Sequence, residues 1–207
     1  MKLRNLVLLT VLVLLIDQFS KIYIKTHFYY GEEVNVIGNW FKLHFIENQG
    51  MAFGMEFGGG FGKLFLTTFR LVAVFAGYFI LRKLVRQQYS NGLLICSALI
   101  WAGAIGNLID SMFYGLIFTD STFHLAQLVP PGQGYGRFMH GRVVDMLYFP
   151  IVESTYPSWI PGIGGRPFTF FAPIFNVADF AISAGVIALL LFQNRYMKKA
   201  EPETQQP

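Results

Sequence analysis

Residues 93–110 read LLICSALIWAGAIGNLID, a run of apolar side chains that ends on an asparagine and an aspartate. At about 1.5 Å per residue, a helix of this length is long enough to cross the roughly 30 Å hydrocarbon core of a bilayer. We therefore predict a transmembrane helix over residues 93–109 that carries polar side chains at one of its ends.

Three more stretches are comparably long and apolar, at about residues 5–24, 63–81 and 174–192. Of the 207 residues, 14% are charged, well below the roughly 25% typical of soluble domains. The 22 phenylalanines exclude a disordered chain, and Cys96, the single cysteine, excludes a disulfide scaffold. We predict one membrane domain over residues 1–200, followed by a polar tail at 201–207.

Basic residues near the ends of membrane helices set their orientation, because cytoplasmic loops are enriched in Lys and Arg. They occur before the first helix, between the second and third, and after the fourth: Lys2, Arg4, Arg82, Lys83, Arg86, Arg195, Lys198 and Lys199. Both termini are therefore expected in the cytoplasm, with residues 25–62 and 110–173 outside. The first stretch lacks a small-x-small cleavage site, so we expect a retained helix and not a cleaved signal peptide.

The outward segments contain further local patterns. Residues 41–45, FKLHF, alternate between apolar and polar side chains, as a half-buried strand does. The glycines at 58–62 indicate a flexible entry to the second helix, and residues 130–136 and 161–167 are expected to be loops. The fold class is thus an all-α membrane protein with four transmembrane helices, a small extracytoplasmic β element and long extracytoplasmic insertions.

Carboxylates in or beside apolar segments are expensive to desolvate, so they indicate function by default. Asp17 and Lys21 are one helical turn apart, and an internal ion pair is favoured for them over direct chemistry. The third helix ends on Asn107 and Asp110, and the fourth opens with the same Asn-x-x-Asp spacing at residues 176–179. Asp145 lies on the outward segment between these two helices.

Two carboxylates held close together share a proton, because their repulsion raises one pKa. Such a pair can activate water for attack on an amide and then protonate the leaving nitrogen, with neither metal nor cofactor. The residues alone leave open which two aspartates pair. No His-Glu-x-x-His or Gly-x-Ser-x-Gly motif occurs, and the net charge of +4 comes without a long basic run, so we expect no nucleic-acid partner.

Five sequence blocks, in order, resemble those of the lipoprotein signal peptidase family, signal peptidase II of the bacterial inner membrane. The blocks are Asp17 with Lys21, then NQGMAFG at 48–54, GAIGNLID at 103–110, GRVVDM at 141–146 and FNVAD at 175–179. One such block would be weak evidence, whereas five in order on four predicted helices are strong.

The resemblance implies an intramembrane aspartic endopeptidase without a cofactor, whose active site lies near the outer leaflet surface. It removes the signal peptide from diacylglyceryl-modified prolipoproteins, just before the lipidated cysteine, and is inhibited by globomycin. It implies Asp145 and Asp179 as the catalytic pair and a structural role for Asp17 and Lys21. It also implies substrate-binding or supporting roles for Asn48, Gly50, Asn107, Asp110 and Asn176. We expect a monomer that works among membrane lipids.

The chain departs from the family pattern at three places. Ser111 stands where the family has an arginine that helps to position the substrate, and Arg142 is our candidate replacement. Arg70 is a second candidate, although an ion pair or a snorkelling side chain would also explain it. The stretches 111–144 and 146–173 are longer than usual, and they could form a lid or be decoration of this lineage.

Two other classes of protein could use intramembrane aspartates. A proton-coupled transporter would carry protons on them, but four helices without a visible repeat are few for a transporter. A non-catalytic assembly subunit would use polar side chains for helix packing. Both alternatives predict that the purified protein cleaves no peptide.

Overall fold

A computed structural model of the chain describes residues 1–48, 59–150, 152–170 and 173–197. Its four long helices are α1 (Leu3–His27), α2 (Gly59–Arg86), α3 (Asn91–Ile109) and α5 (Val177–Tyr196). A π-helical turn (Asp110–Tyr114) and the short α4 (Gly115–Ile117) follow α3 directly. All four long helices are long and apolar enough to cross a membrane, which confirms the predicted number of spans.

Several helix ends differ from the predicted ones by two to five residues. Helix α1 continues three residues past the predicted end, to His27. Helix α2 already includes Gly59–Gly62, because a long apolar helix propagates cooperatively through glycines at its end; Gly58 lies outside the described residues. Helix α5 begins only at Val177, because Ile174–Phe175 pairs as a strand.

Helix α3 lies at the centre of the helices and packs against α1, α2 and α5. Gly103 and Gly106 permit a close approach: a Cβ atom would lie 2.2 Å from the Ala178 carbonyl oxygen at Gly103 and 2.6 Å from Asp17 Oδ2 at Gly106. Cys96, predicted as a small packing residue, is buried on the same helix. On α2, by contrast, large side chains such as Phe65, Phe69 and Phe75 are exposed, as expected where lipid is the solvent.

The β structure is an antiparallel sheet in the order β1 (Glu33–Ile37), β2 (Phe41–Asn48), β3 (Val143–Tyr148) and β6 (Ile174–Phe175). The predicted strand at 41–45 is confirmed as part of β2. Strand β3 pairs with it so that Asp145 lies opposite Ile46, and Val143 opposite Asn48. A separate hairpin joins β4 (Val152–Thr155) to β5 (Pro167–Phe170).

The sheet rests on one end of the helices through an apolar core. Phe45 of β2 and Met146 of β3 pack there against Ile24, Tyr114 and Phe118, all of them buried. Residues 118–142 form an irregular segment, and its loop at 130–136 is as predicted. Because Phe118 and Ala126 of this segment are part of the core, the first long stretch is built into the fold and is not only appended to it.

Candidate active site

Asp145 and Asp179 come from different elements and are linked through asparagine side chains. Asp145 is the third residue of β3, and Asp179 lies in the first turn of α5. Asn176 caps that helix: its Oδ1 accepts a hydrogen bond from the Asp179 backbone N–H at 2.9 Å. Its Nδ2 donates to Asp145 Oδ1 at 2.7 Å and lies 3.2 Å from Asn107 Oδ1.

Two more asparagine amides donate hydrogen bonds to the carboxylates. Asn107 Nδ2 donates to Asp179 Oδ1 at 2.7 Å. Asn48, at the end of β2, donates to Asp145 Oδ2. The structure thus brings together five of the predicted site residues, and a chain of hydrogen bonds runs from one carboxylate to the other through Asn176 and Asn107.

The two carboxylates differ in their surroundings. Asp145 is 2% exposed, whereas Asp179 is only partly buried. Burial and, second to it, the negative charge of Asp179 together raise the pKa of Asp145 to about 8, against the hydrogen bond from Asn176, which lowers it. At neutral pH Asp145 therefore holds a proton. The arrangement supplies one protonated and one ionisable carboxyl group, as acid–base catalysis on an amide requires.

Behind Asp179 lies a set of polar side chains, all buried except the partly buried Gln18, that we call the inner cluster: Asp17, Gln18, Lys21, Asp110 and Tyr114. Lys21 Nζ lies 2.9 Å from Asp17 Oδ2 and 2.8 Å from Asp110 Oδ2, and all three side chains are 0% exposed. The predicted ion pair of Asp17 with Lys21 is therefore confirmed. Gln18 donates to Asp110 Oδ1 at 2.9 Å and accepts from the Tyr114 hydroxyl at 3.1 Å.

The inner cluster reaches Asp179 by two routes. Lys21 donates to Asn107 Oδ1 at 2.9 Å, and Asn107 in turn donates to Asp179. Asp17 Oδ1 accepts a hydrogen bond from the Ala178 backbone N–H at 2.8 Å, which fixes the first turn of α5. The cluster thereby holds α1, α3 and the start of α5 in one arrangement.

A second set of polar side chains lies where the irregular segment meets β2, and we call it the outer cluster: Lys25, Glu47, Asp120, Ser121, Tyr135 and Arg142. Lys25 pairs with Glu47 and donates to Ser121 Oγ at 2.7 Å. Arg142 Nη1 lies 3.2 Å from Glu47 Oε2 and 3.0 Å from Asp120 Oδ2. The guanidinium of Arg142 also lies over the Tyr135 ring, 4.9 Å from its centroid.

The outer cluster fastens the irregular segment to the sheet beside Asp145. Glu47 directly precedes Asn48 on β2, and Arg142 comes three residues before Asp145. Gly141 allows the segment to approach closely, because a Cβ atom there would lie 2.0 Å from the Asp110 carbonyl oxygen. Burial raises the pKa of Tyr135, so its hydroxyl is neutral and accepts from the Arg142 N–H at 2.6 Å.

The two arginine candidates occupy different places. Arg142 belongs to the outer cluster, where Glu47 and Asp120 balance its charge. Arg70 of α2 instead donates to the Ser111 hydroxyl at 3.1 Å. Ser111 itself donates to the Asn107 carbonyl at 2.9 Å, so Arg70 is the candidate that reaches the predicted position. Gly50 lies outside the described residues.

Sequence reasoning missed Lys25, Glu47 and Gln18. Lys25 is one turn beyond Lys21 on the same face of α1, a spacing that is visible in the sequence but lay past the predicted helix end. Glu47 and Gln18 carry no comparable signal, because their partners are distant in the chain. Among the residues that the structure describes, no three His, Cys, Asp or Glu side chains are grouped to hold a metal ion.

Comparison with known proteins decides the family. A family model described as Signal peptidase (SPase) II matches residues 9–194. The chain belongs to the signal peptidase II family. The family predicted from the five sequence blocks is confirmed, and so is the prediction that the protein is a peptidase, over the transporter and assembly-subunit alternatives.

Relatives named lipoprotein signal peptidase match the chain over most of its length. One from Porphyromonas gingivalis is 49% identical over 202 residues, which cover 94% of this chain and 88% of the relative. Another, from Amoebophilus asiaticus, is 36% identical over 186 residues, 88% of this chain and 75% of the relative. The signal peptidase II assignment therefore rests on nearly the whole chain and not on one motif.

Solved structures agree on the fold. A bacterial membrane enzyme determined by the in meso method at 2.3 Å resolution superposes with a TM-score of 0.60 at 24% identity, covering 97% of this chain and 96% of the other. A second, at 1.9 Å resolution, gives 0.56 at 25% identity, covering 93% and 94%. Four apolar helices with a small antiparallel sheet are thus the architecture of a multi-pass membrane enzyme.

Proposed function

We propose that this chain removes the signal peptide from diacylglyceryl-modified prolipoproteins by aspartic catalysis, with Asp145 and Asp179 as the catalytic pair. The cut falls just before the lipidated cysteine. The observation that carries the proposal is the hydrogen-bonded link from Asp145 through Asn176 and Asn107 to Asp179. It links two carboxyl groups from separate elements at one end of the helices.

The roles of the two carboxyl groups follow from how deeply each is buried. Asp179, the more exposed of the two, takes a proton from the attacking water, whose oxygen bonds to the scissile carbonyl carbon. Asp145 gives its proton to the carbonyl oxygen as the tetrahedral diol forms. When the diol collapses, the C–N bond breaks, the nitrogen takes the proton from Asp179, and one diol hydroxyl returns its proton to Asp145. Both carboxyl groups end as they began, so no co-reactant besides water is needed.

The asparagines contribute to the reaction without exchanging protons. Asn48 and Asn176 donate to the two oxygens of Asp145 and fix its orientation. Asn107 does the same for Asp179. Because their amides are already anchored, little reorganisation accompanies the change of charge during the reaction, which is how fixed dipoles lower a barrier.

The membrane arrangement that fits this chemistry places both termini in the cytoplasm and the active site near the outer leaflet. Basic residues at the end of α2, Lys83 and Arg86, support it, since the sheet lies at the opposite ends of the helices. The substrate's acyl chains stay in the bilayer while the scissile bond enters sideways, unwound from its helix. We further propose that the enzyme acts as a monomer in the bacterial inner membrane and that globomycin occupies the same site.

The decisive experiment uses the full chain in lipid vesicles with a diacylglyceryl-modified precursor as substrate. Asp145→Asn and Asp179→Asn are each expected to lower turnover by about 100-fold or more, the order of an acid–base contribution. Glu32→Gln, the same change of carboxylate to amide at a residue outside the site, is the matched control and should keep wild-type turnover.

Folding of each variant is checked by thermal unfolding in detergent. Turnover within tenfold of wild type by either folded aspartate variant would remove that residue from the catalytic pair. If the wild-type protein in vesicles cleaves no lipidated precursor while the same precursor is cleaved by native membranes, the proposed function itself fails.

A further inference from the structure

The β4–β5 hairpin belongs to the long stretch 146–173 and contributes no residue to the site described above. Among the elements that the structure describes, β4 and β5 pack mainly against each other. Their connection, residues 156–166, reads YPSWIPGIGGR and holds one arginine and no acidic residue. We call these residues the hairpin tip, and their composition is apolar and weakly basic.

Backbone hydrogen bonds close the hairpin tip. The Tyr156 N–H donates to the Arg166 carbonyl, and the Gly165 N–H donates to the Tyr156 carbonyl, both at 2.9 Å. Within the tip, the Gly164 N–H donates to the Ile160 carbonyl, again at 2.9 Å. Because the backbone is held in this way, the exposed side chains of the tip are presented in a fixed arrangement.

Two large apolar side chains of the hairpin tip are exposed. Trp159 is 78% exposed and Ile163 is 38% exposed, and the charged side chain of Arg166 is exposed as well. Exposed apolar side chains that occur together mark interaction surfaces. Tryptophan is enriched where a membrane meets water, and a basic side chain there is attracted to anionic lipid headgroups. The tip therefore has the composition of a surface that contacts lipid.

The hairpin starts and ends close to a membrane helix. Strand β5 ends at Phe170, and four residues later Ile174 opens β6, which leads directly into α5. Four residue steps span at most about 14 Å, so the base of the hairpin lies near the start of α5. Phe180, in the first turn of α5, is 59% exposed, as a lipid-facing side chain is. Each hairpin strand is only about 13 Å long, so the tip is within reach of the lipid surface.

Lipid fits the hairpin tip better than a protein partner does. Two exposed apolar side chains supply only a small part of the roughly 1,200–2,000 Å² that a stable protein–protein interface buries. A bilayer surface requires no such area, because each apolar side chain gains free energy there on its own. The lipid that contacts Phe180 of α5 also adjoins the base of the hairpin, so the tip continues a surface that already faces lipid.

We propose that the hairpin tip docks on the lipid surface, with Trp159 and Ile163 at the level of the headgroups and Arg166 facing the lipid phosphate groups. The hairpin lies in the chain between β3, which carries Asp145, and α5, which carries Asp179. Docking therefore holds the connection between these two elements against the bilayer. The inference rests on the proposed function only in naming that surface the outer leaflet.

The test measures the depth of Trp159 for the full chain in vesicles of phosphatidylcholine and phosphatidylglycerol. In the double variant Trp40→Phe with Trp101→Phe, Trp159 is the single tryptophan, and bromine atoms at a shallow or a deep position on the lipid chains quench its fluorescence. We expect a larger loss of fluorescence with the shallow bromines, since interfacial side chains lie about 5–10 Å into the headgroup boundary. The matched control, Trp40→Phe with Trp159→Phe, keeps Trp101 midway along α3, and there the deep bromines should cause the larger loss.

The contribution of the arginine is tested in the same single-tryptophan protein. Arg166→Gln should make Trp159 about fivefold more accessible to aqueous iodide, the effect of losing one basic residue near an anionic surface. Arg195→Gln, at the other end of α5, is the matched control and should leave the accessibility unchanged. Equal accessibility in the two variants would overturn the contact of Arg166 with phosphate.

Folding of each variant is checked by thermal unfolding. If Trp101→Phe does not fold, a spin label on Trp159→Cys in the Cys96→Ala protein reports the same depth through its relaxation by oxygen and by a water-soluble nickel chelate. A label that responds to both reagents as a deeply buried or a fully aqueous one does would overturn the proposal.

Three results with Trp159 would overturn lipid docking. Quenching by iodide and by neither set of bromines would place the tip in water. Protection from iodide that appears only when the lipidated precursor is added would indicate contact with substrate. Protection that disappears when the protein is diluted in lipid would indicate contact with a second copy. The depth measurement involves no cleavage, so it is independent of the catalytic pair, whose own failure would show as turnover by Asp145→Asn or Asp179→Asn.

Discussion

Two lysines one turn apart on α1, Lys21 and Lys25, belong to the two clusters that flank the proposed catalytic pair, and both are fully buried. Lys21 belongs to the inner cluster, which is enclosed by the helices and supports Asp179. Lys25 heads the outer cluster, which includes the partly exposed side chains of Asp120 and Arg142 and supports the strand of Asp145. The same residue type at neighbouring positions thus supports each of the two aspartates through a different cluster.

The two clusters differ in whether a second cation remains when one cation is removed. In the inner cluster, Lys21 is the cation that lies between Asp17 and Asp110. In the outer cluster, Glu47 contacts both Lys25 and Arg142, so either cation remains if the other is lost. We therefore expect the two clusters to respond very differently to the same mutation.

The largest effect is expected from Lys21→Met, which leaves two carboxylates buried without their cation. Breaking a buried ion pair from one side costs about 3–5 kcal/mol, enough to prevent a stable fold. Thermal unfolding in detergent and precursor cleavage in vesicles should both show the loss. Lys83→Met, an exposed lysine on α2, is the matched control; a Lys21→Met protein as stable as this control would contradict the assignment.

Lys25→Met is expected to be milder, with a loss of about 1–3 kcal/mol in the free energy of unfolding. Arg142 still pairs with Glu47, so the strand should stay in place while Asn48 holds Asp145 less firmly. We expect cleavage about tenfold slower with the protein still folded. If the loss of stability equalled that of Lys21→Met, the two clusters would not differ in the way described.

Asp179→Asn should lower the pKa of Asp145 from about 8 by about one unit or more, because a neighbouring negative charge is removed. The value stays above that of a free aspartate, since burial remains. Infrared difference spectra against pH follow the protonated carboxyl band, which Asp145→Asn identifies by its absence. An unchanged titration would show that the two carboxyl groups do not interact.

A related consequence concerns activity at high pH. Asp145 must be protonated to act as the acid, so cleavage should fall as the pH rises through about 8. Cleavage falls with rising pH because deprotonation of Asp145 removes the proton that the carbonyl oxygen takes. The alkaline limb of kcat/KM measures it in the same vesicles, and a limb that lies far above this pH would contradict the raised pKa.

The smallest effect is expected from Tyr135→Phe in the outer cluster. It removes the acceptor of the Arg142 N–H at 2.6 Å but keeps the ring under the guanidinium, so about 1 kcal/mol is expected. Limited proteolysis of the irregular segment at residues 118–142 should become faster, while cleavage of the precursor stays near wild type. Equal protease resistance would show that this contact does not hold the segment.

The structural features that depend on short spacings in the sequence could be predicted from the sequence. Asp17 and Lys21 are four apart on a helix, and their ion pair follows from that alone. The four spans follow from apolar runs that nothing in the fold contradicts. The alternation at residues 41–45 likewise located part of β2, which has one face against the core.

What the sequence could not supply depends on contacts between distant residues. Strand β3 was not predicted, because VVDMLY is buried on both faces and therefore does not alternate. The pairing of Asp145 with Asp179 came from the family resemblance, since no local pattern links residues 34 positions apart. The contacts of Lys25 with Glu47 and of Arg70 with Ser111 needed the relative placement of four elements, which only the folded chain provides.

Asn176 has a consequence for biosynthesis. Its side chain caps the start of the last membrane helix. The same side chain donates a hydrogen bond to the Asp145 carboxylate and another to Asn107 Oδ1. A nascent chain therefore holds no assembled pair of acids until its final span has entered the bilayer. We expect a copy of the protein without its last membrane helix to cleave no precursor.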